Sequence, residues 1–107
     1  MNIAENEKKY LEIINRHIEN GVVFYTSHGI VIEESVKIGK GTVIMPGTIL
    51  LGNTQIGENC TVGPNSMLKD TTLGNNVTFN SSQATESVVD DGATVGPFSQ
   101  LRPNSHI

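Results

Sequence analysis

Three histidines, one cysteine and two acidic doublets are the residues of this chain best suited to chemistry. His17, His28 and His106 offer imidazoles that can carry a proton or hold a metal near neutral pH. Cys60 is the single thiol, nucleophilic only as its thiolate. Glu33-Glu34 and Asp90-Asp91 set carboxylates side by side in sequence, and Asn53, Asn59 and Asn65 repeat an amide every six residues. Neighbours on an extended strand point to opposite faces, so neither doublet gathers its carboxylates for acid–base work. Both doublets read as solvated corners or edges. What any of these groups can do depends on the elements that carry them.

Those elements are announced by a period of six. Ile32, Ile38, Ile44, Leu50, Ile56, Val62 and Leu68 are all aliphatic at one spacing. Helices show spacings of three and four and strands alternate by two; a strict six marks a hexapeptide-repeat parallel β-helix. With the aliphatic residue as position one, position five is small or β-branched (Val36, Thr42, Thr48, Thr54, Cys60, Ser66), and position four reads Gly41, Gly47, Asn53, Asn59, Asn65. Glycine and asparagine enter the left-handed backbone region at least cost. Pro46-Gly47 and Pro64-Asn65 add type II turn chemistry. Each unit is therefore a short strand and a sharp corner, and three units close a triangular coil of about eighteen residues, with coils stacked about 4.8 Å apart. On this reading Cys60 is a buried corner filler, which makes a thiol inert, and the asparagines serve successive corners of the triangle rather than a ligand ladder.

The register slips once, at Leu68 to Leu73, and the clean positions resume at Val89, Val95, Leu101 and Ile107. The polar stretch 80–88 predicts an irregular coil or bulge. About four coils fit in residues 21–107, a short solenoid of the kind that needs capped ends. Residues 1–20 differ: Tyr10, Leu11, Ile14 and Ile18 recur at helical spacing, Asn2 with Glu5 resembles a capping box, and Asn20-Gly21 is a helix stop. A helix over roughly 4–19 then feeds Val22-Val23-Phe24-Tyr25 onto the first coil, covering the solenoid's open end or a neighbouring subunit. His17 on that helix and His28 in the following loop read as partly solvated surface residues.

Composition narrows the classes. A net charge of −4 with scattered Lys and Arg gives nucleic-acid binding no electrostatic footing. One cysteine excludes an internal disulfide and suits a reducing cytoplasm. The N-terminus has no apolar signal region, and no run is long enough to span a membrane.

In order along the chain, His17-Ile18-Glu19-Asn20-Gly21-Val22, Ile38-Gly39, Gly52 through Ser66, and Thr94-Val95-Gly96-Pro97-Phe98-Ser99-Gln100-Leu101-Arg102-Pro103 resemble the bacterial bifunctional N-acetylglucosamine-1-phosphate uridyltransferase/glucosamine-1-phosphate acetyltransferase family. The resemblance covers almost the whole chain and implies an all-β, left-handed hexapeptide β-helix with an N-terminal linker helix. It implies a fragment of that family: the uridyltransferase domain, the catalytic histidine and the acetyl-CoA pocket have no counterpart here. Acetyl-CoA and magnesium, used by the complete family enzyme, are therefore not expected in this chain. One family contact does map, Arg102, which would grip the sugar phosphate; a guanidinium suits a bidentate phosphate contact. Asn104 replaces the family's usual glycine after Pro103 and tolerates the same corner.

His106 stands four residues past Arg102, away from where the family's catalytic base falls, although a histidine is what amine acetylation wants. Zinc carbonic anhydrases on hexapeptide helices need three converging histidines, and only His106 lies on the regular repeat. Two functions are left standing: a fragmentary transferase of UDP-N-acetylglucosamine synthesis, inactive alone, or a non-catalytic trimerising or regulatory module. Both are compatible with a homotrimer, a weakly held sugar phosphate, and a cytoplasmic protein without nucleic-acid or membrane partners.

Overall fold

The repeat folds as its corners dictate, into a parallel β-solenoid with one helix at its N-terminal end; the computed structural model describes residues 2–107. Helix α1 (Ile3–Glu19) leads into fourteen short strands distributed over three faces. Face A stacks β1 (Val23–Phe24), β4 (Val43–Ile44), β7 (Thr61–Val62), β10 (Thr78–Phe79) and β13 (Thr94–Val95). Face B stacks β2 (Val31–Ile32), β5 (Ile49–Leu51), β8 (Met67–Lys69), β11 (Gln83–Thr85) and β14 (Gln100–Leu101). Face C stacks β3 (Lys37–Ile38), β6 (Gln55–Ile56), β9 (Thr72–Leu73) and β12 (Val88–Val89), with His106 bridged to Val88.

That makes five turns, against about four expected, because Val23-Phe24 opens a full turn and later turns are short. Face A partners Val43↔Thr61, Thr61↔Thr78 and Thr78↔Thr94 stand 18, 17 and 16 residues apart. The register slips three times rather than once. The units Leu68–Leu73, Phe79–Ala84 and Ala84–Val89 each have five residues, and in each a non-glycine residue takes the left-handed conformation: Asp70, Ser81 and Glu86, at φ of 49°, 46° and 46°. The stretch 80–88 is therefore regular. Ala84 points inward and is buried, while Gln83 faces solvent.

Volume explains why an alanine suffices there. Inward side chains sit directly on inward side chains: Ile44 on Val62 on Phe79 on Val95, and Leu50 on Leu68 on Ala84 on Leu101. The fourth turn encloses Phe79, Ala84 and Val89, all fully buried. A large ring on face A fills the space that a small residue on face B leaves.

The corner fillers form columns that bond between turns. Thr48, Thr54 and Thr42 are fully buried. The Thr48 and Thr54 hydroxyls donate to Met45 O (2.7 Å) and Leu51 O (2.8 Å). Thr54 Oγ1 also accepts from Thr71 N, Ser82 Oγ from Ser99 N, and Thr42 Oγ1 from Cys60 N, at 3.3, 3.0 and 3.1 Å. Every one of these hydroxyls is hydrogen-bonded, and all of them reach the next turn, Thr42 through Gly57 O and Thr48 through Val62 O, meeting the rule that buried polar groups are bonded. Among the left-handed corners Gly41, Gly47, Asn59, Asn65, Asn76 and Asn104 keep the expected types, but at 50–56 the conformation falls on Gly52 and not Asn53. Two corners carry cis Gly–Pro bonds, Gly63–Pro64 and Gly96–Pro97.

Helix α1 is held as its ends suggest. Asn2 Oδ1 accepts from Glu5 N (2.9 Å), and at the far end Gly21 N donates to Ile18 O and Val22 N to His17 O, both 3.0 Å, a Schellman stop. Its buried face is Ile13, Ile14 and His17 with Tyr10 partly covered. Leu11 and Ile18, expected on that face, are 48% and 49% exposed. They lie on the flank of the stripe, and Ile13 takes the place beside Ile14. The helix packs on β2 and closes the first turn.

The filling of the fourth turn is testable. Ala84→Leu is expected to lower stability by roughly 1–3 kcal/mol through overpacking, and Phe79→Leu by a cavity of similar cost. The double variant should recover more than 0.5 kcal/mol relative to additivity in urea denaturation. Strict additivity would refute the compensation.

Candidate functional site

Arg102 sits on the corner leaving β14, and its two ends behave differently. Its carbonyl accepts from Ser87 Oγ (2.9 Å) and Ser105 Oγ (2.7 Å), which pins the backbone between the fourth and fifth turns. Its side chain is exposed and takes part in no ion pair among the described residues. The β11–β14 register, continued by one residue, sets Arg102 over Thr85, and Thr85 pairs with Lys69. Lys69 is exposed as well. One edge of face B therefore carries two cations two turns apart, about 9.6 Å by sheet spacing. This arrangement can hold a doubly charged phosphate at Arg102 and add a weaker, screened attraction from Lys69.

The histidines do not converge. His106 lies on face C, where its Nε2 is 2.7 Å from Asp90 Oδ1, with both side chains exposed. His28 is exposed in the loop between β1 and β2, its backbone N–H on Thr26 Oγ1. His17 departs from expectation: it is only 4% exposed, and its Nε2 has no hydrogen-bond partner. Burial, then the charge of Arg16, pushes its pKa below the ordinary histidine value. The signal was present in sequence, since His17 stands three residues past Ile14 and so shares its face. No group of three or more His, Cys, Asp or Glu side chains suited to a metal occurs among the described residues.

The remaining candidates are structural. Glu33 Oε1 accepts from Gly52 N (2.8 Å), and Asp91 Oδ1 from Asn75 N (2.7 Å). Asp70 Oδ1 and Asn75 Oδ1 do the same for Asn53 N and Glu58 N. The doublets therefore split: Glu33 and Asp91 accept corner amides of a neighbouring turn, while Glu34 and Asp90 face outward beside Lys9 and His106. Cys60 is buried in its corner column with its thiol 3.1 Å from Gly74 O, and burial pushes its pKa up. Phe98 is the unforeseen surface feature: a phenyl ring 91% exposed on a corner with φ of 64°.

The sequence of the repeat matches known proteins. Residues 35–70 match the bacterial transferase hexapeptide (six repeats) family. The chain is 45% identical over 95 residues to the bifunctional protein GlmU of Alkaliphilus metalliredigens, covering 89% of this chain and 21% of that protein. Against GlmU of Staphylococcus epidermidis the identity is 49% over 106 residues, 98% of this chain and 24% of that protein. The matched stretch is the hexapeptide-repeat region in the C-terminal part of these proteins, and the chain spans between a fifth and a quarter of their length. A hexapeptide-repeat containing acetyltransferase of Vibrio cholerae, solved with acetyl coenzyme A, aligns over 99% of this chain and 72% of its own, at 17% identity and a TM-score of 0.35. No helix is long and apolar enough to cross a membrane among the described residues.

The burial of Cys60 sets an expectation for thiol chemistry. A disulfide reagent such as Ellman's should label native protein at least about 100-fold more slowly than urea-unfolded protein, because the thiol is both covered and shifted toward its neutral form. Rapid labelling of the native chain would contradict the corner-filler role.

Proposed function

We propose that this chain forms the phosphate-gripping wall of a glucosamine-1-phosphate acetyltransferase site, within UDP-N-acetylglucosamine and cell-wall precursor synthesis. Arg102 carries the reading: a backbone-pinned, unpaired guanidinium lies within the Gly-Pro-Phe-x-x-Leu-Arg-Pro stretch, and the likeness to GlmU proteins supports it. In the complete reaction the sugar's amine attacks the acetyl thioester, a base takes the amine proton, and the thiolate of coenzyme A leaves. Arg102 would hold the phosphate and orient the amine; it does not touch the reacting atoms. The fifth turn's histidine is ill placed to be the base, since His106 lies on face C, beside Val88, and not at the edge that carries Arg102. On its own the chain binds the sugar phosphate weakly and does not transfer acetyl groups.

A second reading, a non-catalytic trimerising module, is favoured by one observation. Val31, Ile49 and Met67 form an outward apolar column on face B, each partly exposed. Homotrimer formation fits both readings, since a thin core gains from burying such a column.

Thiol release from acetyl-CoA with glucosamine 1-phosphate is expected to equal that of an Arg102→Ala control. Turnover clearly above the control overturns inactivity of the chain alone. Glucosamine 1-phosphate binding, followed by NMR shifts, should weaken roughly tenfold or more in Arg102→Ala; unchanged binding overturns the phosphate role. A trimer in sedimentation with neither turnover nor binding establishes the module reading.

A further inference from the structure

His17 is the anomaly that neither reading uses. Its ring lies within the helix–solenoid junction, at a cleft bounded by Arg16 of α1 and its C-cap Asn20, by Glu34 and Ser35 of the corner between β2 and β3, and by Lys37 at the start of β3. Among the described residues its Nε2 is the one buried side-chain nitrogen or oxygen without a hydrogen-bond partner. A neutral imidazole tolerates that position at modest cost, but an imidazolium would have a buried charge and an N–H with nothing to receive it.

We propose that His17 makes α1 an acid-releasable end cap: below neutral pH, a proton on the buried imidazole drives the helix off the first turn and opens the apolar end of the solenoid. The surrounding charges reinforce the effect. Arg16 stands beside the ring on the same helix, and Lys37 faces the cleft from the solenoid. Glu34 is the one carboxylate facing it, and its side chain is 4.0 Å from Lys9 while its carbonyl accepts from Arg16 Nη2 at 3.1 Å. The single carboxylate at the cleft is thus exposed and drawn toward Lys9, against the two cations Arg16 and Lys37. Release would uncover the surface that α1 protects, where Ile13 and Ile14 share one core with Val22, Ile30, Ile32 and Val36.

The direction follows from linkage. With the docked ring's pKa lowered by burial and by Arg16, the docked state binds fewer protons than the released state. Docking stability is therefore complete above the ordinary histidine value of about 6.5, falls as pH drops below it, and levels off below the docked pKa. Across that window the opening constant rises by up to tenfold per pH unit.

Amide hydrogen exchange of the whole chain between pH 5 and 7.5, corrected for intrinsic rates, reads that constant. In the wild type, α1 amides are expected to lose up to about tenfold protection per unit below pH 6.5, while amides of β6 to β9 stay level. In His17→Leu and His17→Gln the α1 protection should be independent of pH. The same slope in variants and wild type overturns the proposal. If the variants fold poorly, the wild-type ring decides by NMR titration: a midpoint below 6.5 that coincides with α1 opening supports the cap. A ring that titrates at its ordinary value with α1 protection unchanged overturns it.

Discussion

Stacking at one strand spacing is the constraint on which the rest of this structure depends. Every backbone turn lies on another at about 4.8 Å, so whatever stands at a given place in one turn must fit under its counterpart in the next. Gly39, Gly57 and Gly74 show how little room is left: a Cβ on Gly39 would lie 2.7 Å from the Gly57 carbonyl carbon, and one on Gly57 would lie 2.5 Å from the Gly74 carbonyl oxygen. The inward column and the hydroxyl column answer the same demand. Apolar side chains rest on apolar ones, and the buried corner hydroxyls bond from one turn to the next. Contacts are therefore repeated rather than distributed, and stability is close to a sum over adjacent turns.

That repetition is why so much was legible in sequence. The run Ile32 to Leu68 gave the faces, the small position-five residues gave the corner fillers including Cys60, and Asn20-Gly21 gave the helix stop. Legibility failed where one residue compensated another. A five-residue unit keeps its strand and shortens its corner, so nothing in residue type marks it except a left-handed Asp70, Ser81 or Glu86, of which only aspartate is enriched in that conformation. Ala84 was hidden within the polar stretch 80–88, and Phe79, its complement, belongs to another face and meets it only across the core. The five turns were undercounted because Val23-Phe24 lacks the six-residue spacing: Val23 pairs with Val43, 20 residues on.

On the helix the pattern misled for a different reason. Tyr10, Leu11, Ile14 and Ile18 are apolar at acceptable spacings, but the end of the solenoid is a small triangle and covers only a narrow stripe. Ile13, Ile14 and His17 fall inside it; Leu11 and Ile18 fall at its flanks. Apolarity alone ranks isoleucine over histidine for the buried place. Geometry decides otherwise, because His17 stands four residues past Ile13 and three past Ile14 and so is set on the same buried face.

The candidate site was the least legible part, and the prism shape gives the reason. The three faces of a triangular coil look outward and away from one another, so groups on different faces, such as Arg102 at the edge of face B and His106 on face C, diverge even when four residues apart. A convex surface can present one guanidinium, yet it cannot by itself surround a reacting atom, and surrounding it is what general acid–base and electrostatic catalysis require. A concave site at the edge that holds Lys69 and Arg102 would need a second surface laid against it. The scaffold specifies the position of Arg102 to within one corner, because two serine hydroxyls fix its carbonyl, and leaves the choice of chemistry to what is set beside it.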